Sequence, residues 1–235
     1  MKLSIVVPSL NEEAYIFNTL AAIASMVVPN SLTLELLLVD GGSTDRTLSE
    51  VERFFETNNA LPVRMFRSVQ GRAAQQNCGA EFATGDVLWF LHADTLPSPN
   101  ALIELQKTLQ NPAAQFGYFY MKFDSDNLLA KFYSDFTKLN SILTHYGDCG
   151  IFMRRDFFFE LGKFPEQDLM EDVELLFRAR AVAEPALIVD AFVTTSARRF
   201  KRNGFLRQQV LNAYLVGRYI FGASPSELKK RYEKG

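Results

Sequence analysis

At 235 residues the chain is long enough for one large domain, and its hydrophobic fraction of 48% and charged fraction of 22% are ordinary for a globular protein with a full core. A net charge of −2 disfavours nucleic acid as a partner, because nucleic-acid binders are usually basic. No segment has the roughly 18 uninterrupted apolar residues of a membrane span, and the two cysteines follow no disulfide or metal-ligand spacing, so we expect a cytoplasmic protein.

Short apolar strands alternate with amphipathic, helix-length segments in the first half of the chain. Strands are predicted at residues 3–8, 34–39, 63–67 and 87–91. Helices are predicted at 12–25 and 71–82, and two more helices are predicted to end near residues 55 and 109. Asn11 is the expected N-cap of the first helix, and Ser43 or Thr44 that of the second. Strand–helix repeats of this length favour right-handed crossovers and a mostly parallel, Rossmann-like α/β sheet with helices on both faces.

The pattern changes after residue 111 and predicts a mixed C-terminal part. Strands are predicted at 116–123, 151–153 and near 186–191, a loop at 146–150, and helices at 128–143, 156–161, 171–183, 204–221 and 224–232. The aromatic cluster Phe157-Phe158-Phe159 is expected in the core. Without a repeat or a linker, the sequence favours one domain over residues 1–235.

Polar residues follow three of the predicted parallel strands. Asn11 and Glu12 follow the first strand, Asp40 the second, and Asp94 the fourth. In sheets of this kind, ligands bind outside the carboxyl ends of the strands. We therefore expect these side chains to form one polar site.

Each acidic candidate also has a purely structural interpretation. Asp40 fits a ligand-binding carboxylate, or a turn residue that bonds its own backbone. Asp94 fits a ligand to Mg²⁺ or Mn²⁺, or the cap of a turn. Glu171 and Asp172 open a helix, where the helix dipole favours acids. A carboxylate at that position is also suited to remove a hydroxyl proton as a general base.

The basic candidates are less specific. Arg72 and the pair Arg198-Arg199 offer guanidinium groups that suit diphosphate oxygens, or they form a solvated face. His145 and Cys149 lack the neighbours of a nucleophilic site, so no catalytic role is expected for them. The helix at 204–221 mixes apolar residues with Arg207 and Arg218. This helix is expected either to pack on the sheet or to lie on the anionic inner face of a membrane as a peripheral contact.

Taken in order, these segments resemble the family 2 glycosyltransferases, in a small, soluble, bacterial-type branch. The resemblance is carried by SIVVPSLNEE, VDGGSTDRT, GRAAQQNCGAEFATGDVLWFLHADT, GDCGIFMRRDFFFELGKFPEQDLMEDVEL and SARRF. It implies the A-type glycosyltransferase fold and a manganese- or magnesium-dependent enzyme (Mn²⁺ or Mg²⁺). Such an enzyme transfers a single sugar, with inversion, from a UDP- or GDP-linked donor to an acceptor hydroxyl.

The resemblance also assigns roles along the chain. Residues 1–111 would bind the nucleotide, 112–200 would hold the acceptor and the catalytic groups, and 201–235 would form C-terminal helices. Nucleotide binding falls to Pro8, Asn11, Glu12, Asp40, Arg72, His92, Ala93 and Asp94, and Asp94 would also hold the metal. Asp172 would be the general base, Asp148 and Glu171 would lie near the donor sugar or acceptor, and Arg198 and Arg199 would bind the diphosphate.

Two departures from the family pattern keep other functions open. Gly41 replaces the second Asp of VDDGSTD, and His92 replaces the first Asp of Asp-x-Asp. Both make a non-catalytic nucleotide-sugar-binding protein, or a subunit of a complex, more plausible. A sugar-nucleotidyltransferase is disfavoured, because such enzymes usually carry a loop rich in glycine and basic residues after the first strand.

Overall fold

In the computed structural model, which describes residues 1–58, 61–140 and 146–234, strands and helices alternate largely as the sequence predicts. The strands are β1 (Lys2–Ser9), β2 (Thr33–Asp40), β3 (Val63–Arg67), β4 (Val87–Phe90), β5 (Thr95–Pro97), β6 (Phe116–Phe123), β7 (Phe152–Arg154) and β8 (Ala186–Thr195). The helices are α1 (Ile16–Ala24), α2 (Thr47–Thr57), α3 (Arg72–Phe82), α4 (Ala101–Leu109), α5 (Leu128–Phe136), α6 (Arg155–Glu160), α7 (Glu171–Arg180), α8 (Arg198–Asn203), α9 (Phe205–Ile220) and α10 (Pro225–Lys234).

The strands form one sheet in the order β3-β2-β1-β4-β7-β6-β8-β5. The first four are parallel, β7 runs antiparallel between β4 and β6, β8 is parallel to β6, and β5 closes the edge antiparallel to β8. Nearly every side chain of β1 and β2 is buried, on both faces. Continuous burial of this kind is typical of strands covered by helices on both sides, as predicted.

The register brings the polar strand ends together. Ser9 pairs with Asp40, and Asp40 pairs with Arg67, so β1, β2 and β3 end at the same edge of the sheet. Leu91 continues from β4 and donates its backbone N–H to the carbonyl of Val6. The segment that follows, with His92 and Asp94, therefore emerges beside the end of β1.

Two predicted helix starts were wrong. Helix α1 begins at Ile16, because Asn11 takes a left-handed backbone (φ 54°) and its side chain accepts the Thr44 N–H instead of capping the helix. Helix α2 begins at Thr47, and the side chain of Asp45 accepts the Thr47 N–H. Asn11, Ser43 and Thr44 thus bond to each other across the sheet edge, and Asp45 takes the place of Ser43 or Thr44 at the start of α2.

The structure also contains elements that the sequence did not predict. Strand β5 forms at Thr95–Pro97, where no strand was predicted, β8 extends to Thr195, and α8 precedes α9. Of the helix predicted at 128–143, α5 covers the part to Phe136, and residues 141–143 lie outside the described part of the chain, as does His145. The expected core role of the phenylalanine cluster is confirmed for Phe157 and Phe158, which are buried.

The last two helices form a second, smaller apolar cluster against α7. Its buried members are Met170, Val173, Leu215, Val216 and Leu228. This packing places α9 and α10 over the carboxyl edge of the sheet, next to the segment that leads into α7. Among the described residues, no helix is both long enough and apolar enough to cross a membrane.

Candidate active site

Two adjoining cavities lie at the carboxyl edge of the sheet. The larger, of about 1080 Å³, is lined by Pro8, Glu12, Arg72, His92, Ala93, Asp94, Glu171, Arg198 and Arg199, among others. The smaller, of about 240 Å³, shares six of these residues (Arg72, His92, Asp94, Glu171, Arg198 and Arg199) and adds Asp148 and Asp172. The structure therefore brings together most of the residues predicted from sequence, drawn from six separate segments of the chain.

Arg198 connects the first and fourth strand ends. Its guanidinium donates two hydrogen bonds to Glu12, at 2.7 and 2.6 Å, and lies 3.3 Å from the Asp94 carboxylate. Burial raises the pKa of Asp94, and the positive charge of Arg198 opposes that rise. A cation held between two carboxylates in a cleft keeps both acids close to where a charged ligand would bind.

Asp172 sits at the start of α7, at the back of the smaller cavity. One carboxylate oxygen accepts a hydrogen bond from the Gly147 N–H at 2.6 Å, and the other accepts one from the N–H of the next residue, Val173, at 2.8 Å. A β-carbon on Gly147 would lie 3.1 Å from the Asp172 carboxylate and 3.0 Å from His92 Nε2. The glycine therefore leaves room for the acid and the imidazole to face the same space.

His92 enters this space as a neutral side chain. Burial lowers its pKa well below the ordinary value, and the nearby Arg72 and Arg198 lower it further. Its Nε2 is buried and has no hydrogen-bond partner among the described residues. An unpartnered nitrogen of a neutral imidazole is available as a hydrogen-bond donor to a diphosphate oxygen, or, in the other tautomer, as an acceptor for a ligand hydroxyl or as a ligand to a metal ion.

Two further acids have raised pKa values. Burial, and then the negative charge of Asp172, raise the pKa of Asp148 to about 6. Burial also raises the pKa of Glu171, while Arg72, 3.3 Å away, opposes the rise. Perturbed carboxyl groups gathered in one cavity are typical of a catalytic site.

Asn11 and Asp40 are not among the residues that line either cavity. Both oxygens of Asp40 accept hydrogen bonds from its own turn, from the Gly42 and Ser43 N–H groups and the Ser43 hydroxyl. The purely structural interpretation of Asp40 therefore has direct support, and its expected contact with the base stays a prediction. Asn11 bonds to Ser43 and Thr44 and fastens the same loop.

The donor set around Asp94 decides whether a divalent cation fits. The described residues contain no group of three or more His, Cys, Asp or Glu side chains arranged around a metal ion. Asp94 and the unpartnered nitrogen of His92 nevertheless face the same cavities. Magnesium and manganese often bind through one or two carboxylates together with phosphate oxygens and water. The site therefore fits a cation shared with a diphosphate, and not one held by protein ligands alone.

The smaller cavity also contains residues that the sequence did not single out. They are polar or aromatic side chains from three helices and one loop: Tyr133, Tyr146, Gln208, Asn212 and Tyr232. Gln208 and Asn212 are four residues apart and so lie on one face of α9, and that spacing could have been recognised in the sequence. The Tyr232 ring lies under the Arg199 guanidinium, 3.8 Å from it, and no local pattern indicates that contact.

Comparison with known sequences identifies related proteins. The sequence model of glycosyl transferase family 2 matches residues 4–170. The probable glycosyltransferase YdaM of Bacillus subtilis is 27% identical over 75% of this chain and 46% of that protein. Glycosyltransferase AglE of Haloferax volcanii is 27% identical over 69% of this chain and 55% of that protein. The chain thus spans about half the length of these curated relatives.

Solved structures share the fold at low sequence identity. S. aureus TarS 1-349 in complex with UDP-GlcNAc aligns with a TM-score of 0.66 and 21% identity, over 83% of this chain and 58% of that one. The mannosyltransferase PcManGT from Pyrobaculum calidifontis, in complex with GDP-Man and Mn²⁺, aligns with a TM-score of 0.65 and 23% identity, over 97% and 67%. The predicted A-type glycosyltransferase fold, a mostly parallel sheet with a mixed C-terminal part, is confirmed.

Proposed function

The chain belongs to glycosyl transferase family 2, and on that premise we propose that it transfers a single sugar, with inversion, from a nucleoside-diphosphate sugar to an acceptor hydroxyl. One observation carries the proposal. The two adjoining cavities bring the carboxylates of Asp94 and Asp172 together with the guanidinium groups of Arg72, Arg198 and Arg199. Inverting transfer needs both kinds of group, a base for the acceptor and positive charge for the leaving diphosphate.

The larger cavity is the proposed donor site. Its volume of about 1080 Å³ suits a molecule with a base, two sugars and a diphosphate. Pro8, Glu12 and Ala93 line it at the end where β1 and β4 emerge. The related structures contain UDP-GlcNAc in one case and GDP-Man with Mn²⁺ in the other, so a UDP- or GDP-linked donor is the natural first choice.

The smaller cavity is the proposed acceptor site, with Asp172 as the general base. As the acceptor oxygen attacks the anomeric carbon, its proton passes to the Asp172 carboxylate and the bond from that carbon to the diphosphate breaks. The hydrogen bonds from the Gly147 and Val173 N–H groups hold the carboxylate in place for this transfer. Asp148 and Glu171 lie beside it and are suited to bind hydroxyl groups of the donor sugar or acceptor.

Positive charge on this chain's own residues stabilises the leaving group. Arg72, Arg198 and Arg199 face the shared part of the two cavities, so they are placed to bind the diphosphate as it gains negative charge. Arg198 would exchange part of its bonding to Glu12 for phosphate oxygens. A divalent cation at Asp94, with His92 beside it, would supply further neutralisation of that charge when bound.

The test is the substitution Asp172→Asn, which keeps the shape of the side chain and removes the base. A thermal-shift panel of nucleoside diphosphates, with and without Mn²⁺, first selects the donor class, because a ligand that binds the folded state raises its stability. Release of nucleoside diphosphate from the matching nucleotide sugars is then measured with candidate acceptors. We expect Asp172→Asn to lower kcat by about 10²–10⁴-fold and to leave the binding of the diphosphate within a few-fold.

The matched control is Asp190→Asn, the same chemical change at an exposed carboxylate of β8. It should turn over at the wild-type rate. Near-normal turnover by Asp172→Asn would contradict the role of the base. Tight binding without turnover by the wild type, across all donors and acceptors, would favour a non-catalytic nucleotide-sugar binder instead.

A further inference from the structure

Helices α5 and α9 expose an unusual number of large apolar side chains. Phe132 is 63% exposed, Leu206 68%, and Phe221, just after α9, 90%. Others in the same segments are Leu128, Leu129, Phe136, Leu139, Val210 and Ile220. Single exposed apolar residues are common on soluble proteins, but a group of this size usually marks an interaction site.

These side chains form one surface rather than two, because α5 packs against α9 and the ring of Phe123 contacts both Tyr133 of α5 and Phe205 of α9. At about 100° per residue, the exposed Phe132 and Leu128 lie about 100–140° from Tyr133, which lines the smaller cavity, and so lie on the side of α5 that turns away from it. On α9, the exposed Leu206 and Val210 lie about 120–160° from Gln208 and Asn212, which line the same cavity. Both apolar stripes therefore lie on the sides of the two helices that turn away from the cavity. We call this surface, with the residues named above, the α5–α9 face.

Positive charge flanks the α5–α9 face. No acidic residue occurs between residues 191 and 226. Arg202 and Arg207 are exposed, and neither forms an ion pair with any residue in the described part of the chain. On α5 the acid Asp135 is paired with Lys138, so it adds no free negative charge. Apolar side chains beside unpaired arginines are complementary to a surface that has an apolar interior and anionic groups at its boundary with water.

The opposite side of the same two helices lines the smaller cavity. Tyr133 of α5 and Gln208, Asn212 and Leu215 of α9 all face it. The α5–α9 face and the proposed acceptor site are thus separated by the width of one helix layer. Whatever the face rests on will therefore lie within about one helix diameter, roughly 10 Å, of that cavity.

We propose that the α5–α9 face docks on an anionic lipid bilayer, and that the acceptor is a hydroxyl-bearing molecule anchored in that bilayer. The second half of this statement rests on the proposed function, and the first half does not. A second copy of the chain is a poorer occupant, because a two-fold contact would bring the unpaired Arg202 and Arg207 of both copies to one interface without acidic partners.

The test is co-sedimentation of the full chain with vesicles, in the absence of any donor or acceptor. Vesicles of phosphatidylcholine alone are compared with vesicles of phosphatidylcholine and phosphatidylglycerol in equal amounts. We expect binding to the anionic vesicles at least tenfold stronger than to the neutral ones, and weaker binding as salt is raised. The double variant Phe132→Ser/Leu206→Ser should lower partitioning at least tenfold, because it removes two large apolar side chains from the contact.

Two variants control this measurement. Val27→Ser/Val182→Ser removes exposed apolar side chains outside the face and should bind like the wild type. Arg202→Gln/Arg207→Gln should lower binding to anionic vesicles about tenfold and leave binding to neutral vesicles unchanged. All substituted side chains are exposed, so circular dichroism and Tm should be unaltered.

Equal binding to both kinds of vesicle, or an unchanged affinity of the Phe132→Ser/Leu206→Ser variant, would overturn the proposal. So would a wild-type dimer in solution that this variant converts to a monomer, because the second copy would then be the occupant. Vesicle binding is measured without substrate, so its failure leaves the transferase reaction untouched. Conversely, vesicle binding by a chain without turnover would refute only the proposed function.

Discussion

The carboxamide of Gln75 occupies the place that a side chain at position 41 would need. Gln75 is buried, and its Nε2 donates hydrogen bonds to the carbonyls of Ser9 at 2.7 Å and Val39 at 3.0 Å. A β-carbon at Gly41 would lie 2.9 Å from the Gln75 Cδ and Oε1. Gly41 has no positive φ, so its backbone accepts other residues. The conflict is therefore between two side chains, and it can be measured.

The size of the effect follows from the two hydrogen bonds. If Gly41→Ala displaces the carboxamide, the loss is about 1 kcal/mol for each bond, or about 2 kcal/mol. The lower chain entropy of alanine in the unfolded state returns about 0.4–1 kcal/mol. We expect a net loss of about 1–2 kcal/mol for Gly41→Ala. For Gln75→Ala, which also empties buried space, we expect about 2–4 kcal/mol.

The double variant Gly41→Ala/Gln75→Ala separates this explanation from others. Once the carboxamide is gone, the alanine at position 41 has nothing to displace, so it should cost nothing further. Urea denaturation of the wild type and the three variants gives the coupling free energy between the two sites, which we expect to be about 2 kcal/mol. Additive losses, with a coupling below about 0.5 kcal/mol, would show that Gln75 does not explain why glycine stands here.

Three further predictions follow from single contacts. Hydrogen bonds from Ser4 and Thr84 outweigh burial and lower the pKa of Glu35 from 4.5 to about 2. The wild type should therefore lose up to about 3 kcal/mol of stability as pH falls from 4.5 to 2, and Glu35→Gln should lack this loss in urea titrations. Gly147→Ala should lower kcat more than tenfold and should also lower Tm, because its β-carbon meets both His92 and Asp172; an unchanged kcat would refute the close approach. Tyr232→Leu removes the ring beneath Arg199 and should weaken nucleoside-diphosphate binding about 2–5-fold in calorimetry, whereas unchanged affinity would place that pair outside the donor site.

Sequence periodicity predicted the sheet well because its strands are buried on both faces. Strand β6, which is buried at all but one residue, has the predicted bounds, 116–123. The exposed edge strand β3 also has its predicted bounds, 63–67. Apolar runs of this kind depend on the local chain alone, through alternation and burial. The helix starts were harder to predict, because they depend on hydrogen bonds with residues that are distant in the sequence. Asn11 had every local property of an N-cap, but its side chain accepts a hydrogen bond from Thr44, 33 residues away.

The residues of the candidate site likewise divide into those that local sequence rules identify and those whose role depends on distant contacts. Asp94 and Asp172 were found from sequence because each follows a strand or opens a helix, where a local rule applies. The bonding of Arg198 to Glu12 and Asp94 joins residues 186 positions apart, and no rule about short segments reaches that far. In the sequence, Gly41 was a departure from the family pattern, because it replaces the second Asp of VDDGSTD. In the structure it is the partner of Gln75, which lies 34 residues later, on α3.

The division between the two cavities also has a consequence for specificity. The family match ends at residue 170, and the larger cavity is lined mostly by residues before that point. More than half of the residues lining the smaller cavity come after it, from α7, the end of β8 and the segment after it, α8, α9 and α10. On the proposed assignment of the two cavities, residues within the part matched by the family model make most of the donor contacts, and the segment beyond it makes most of the acceptor contacts. We therefore expect substitutions on the inner face of α9, at Gln208 or Asn212, to change the choice of acceptor more than the choice of donor.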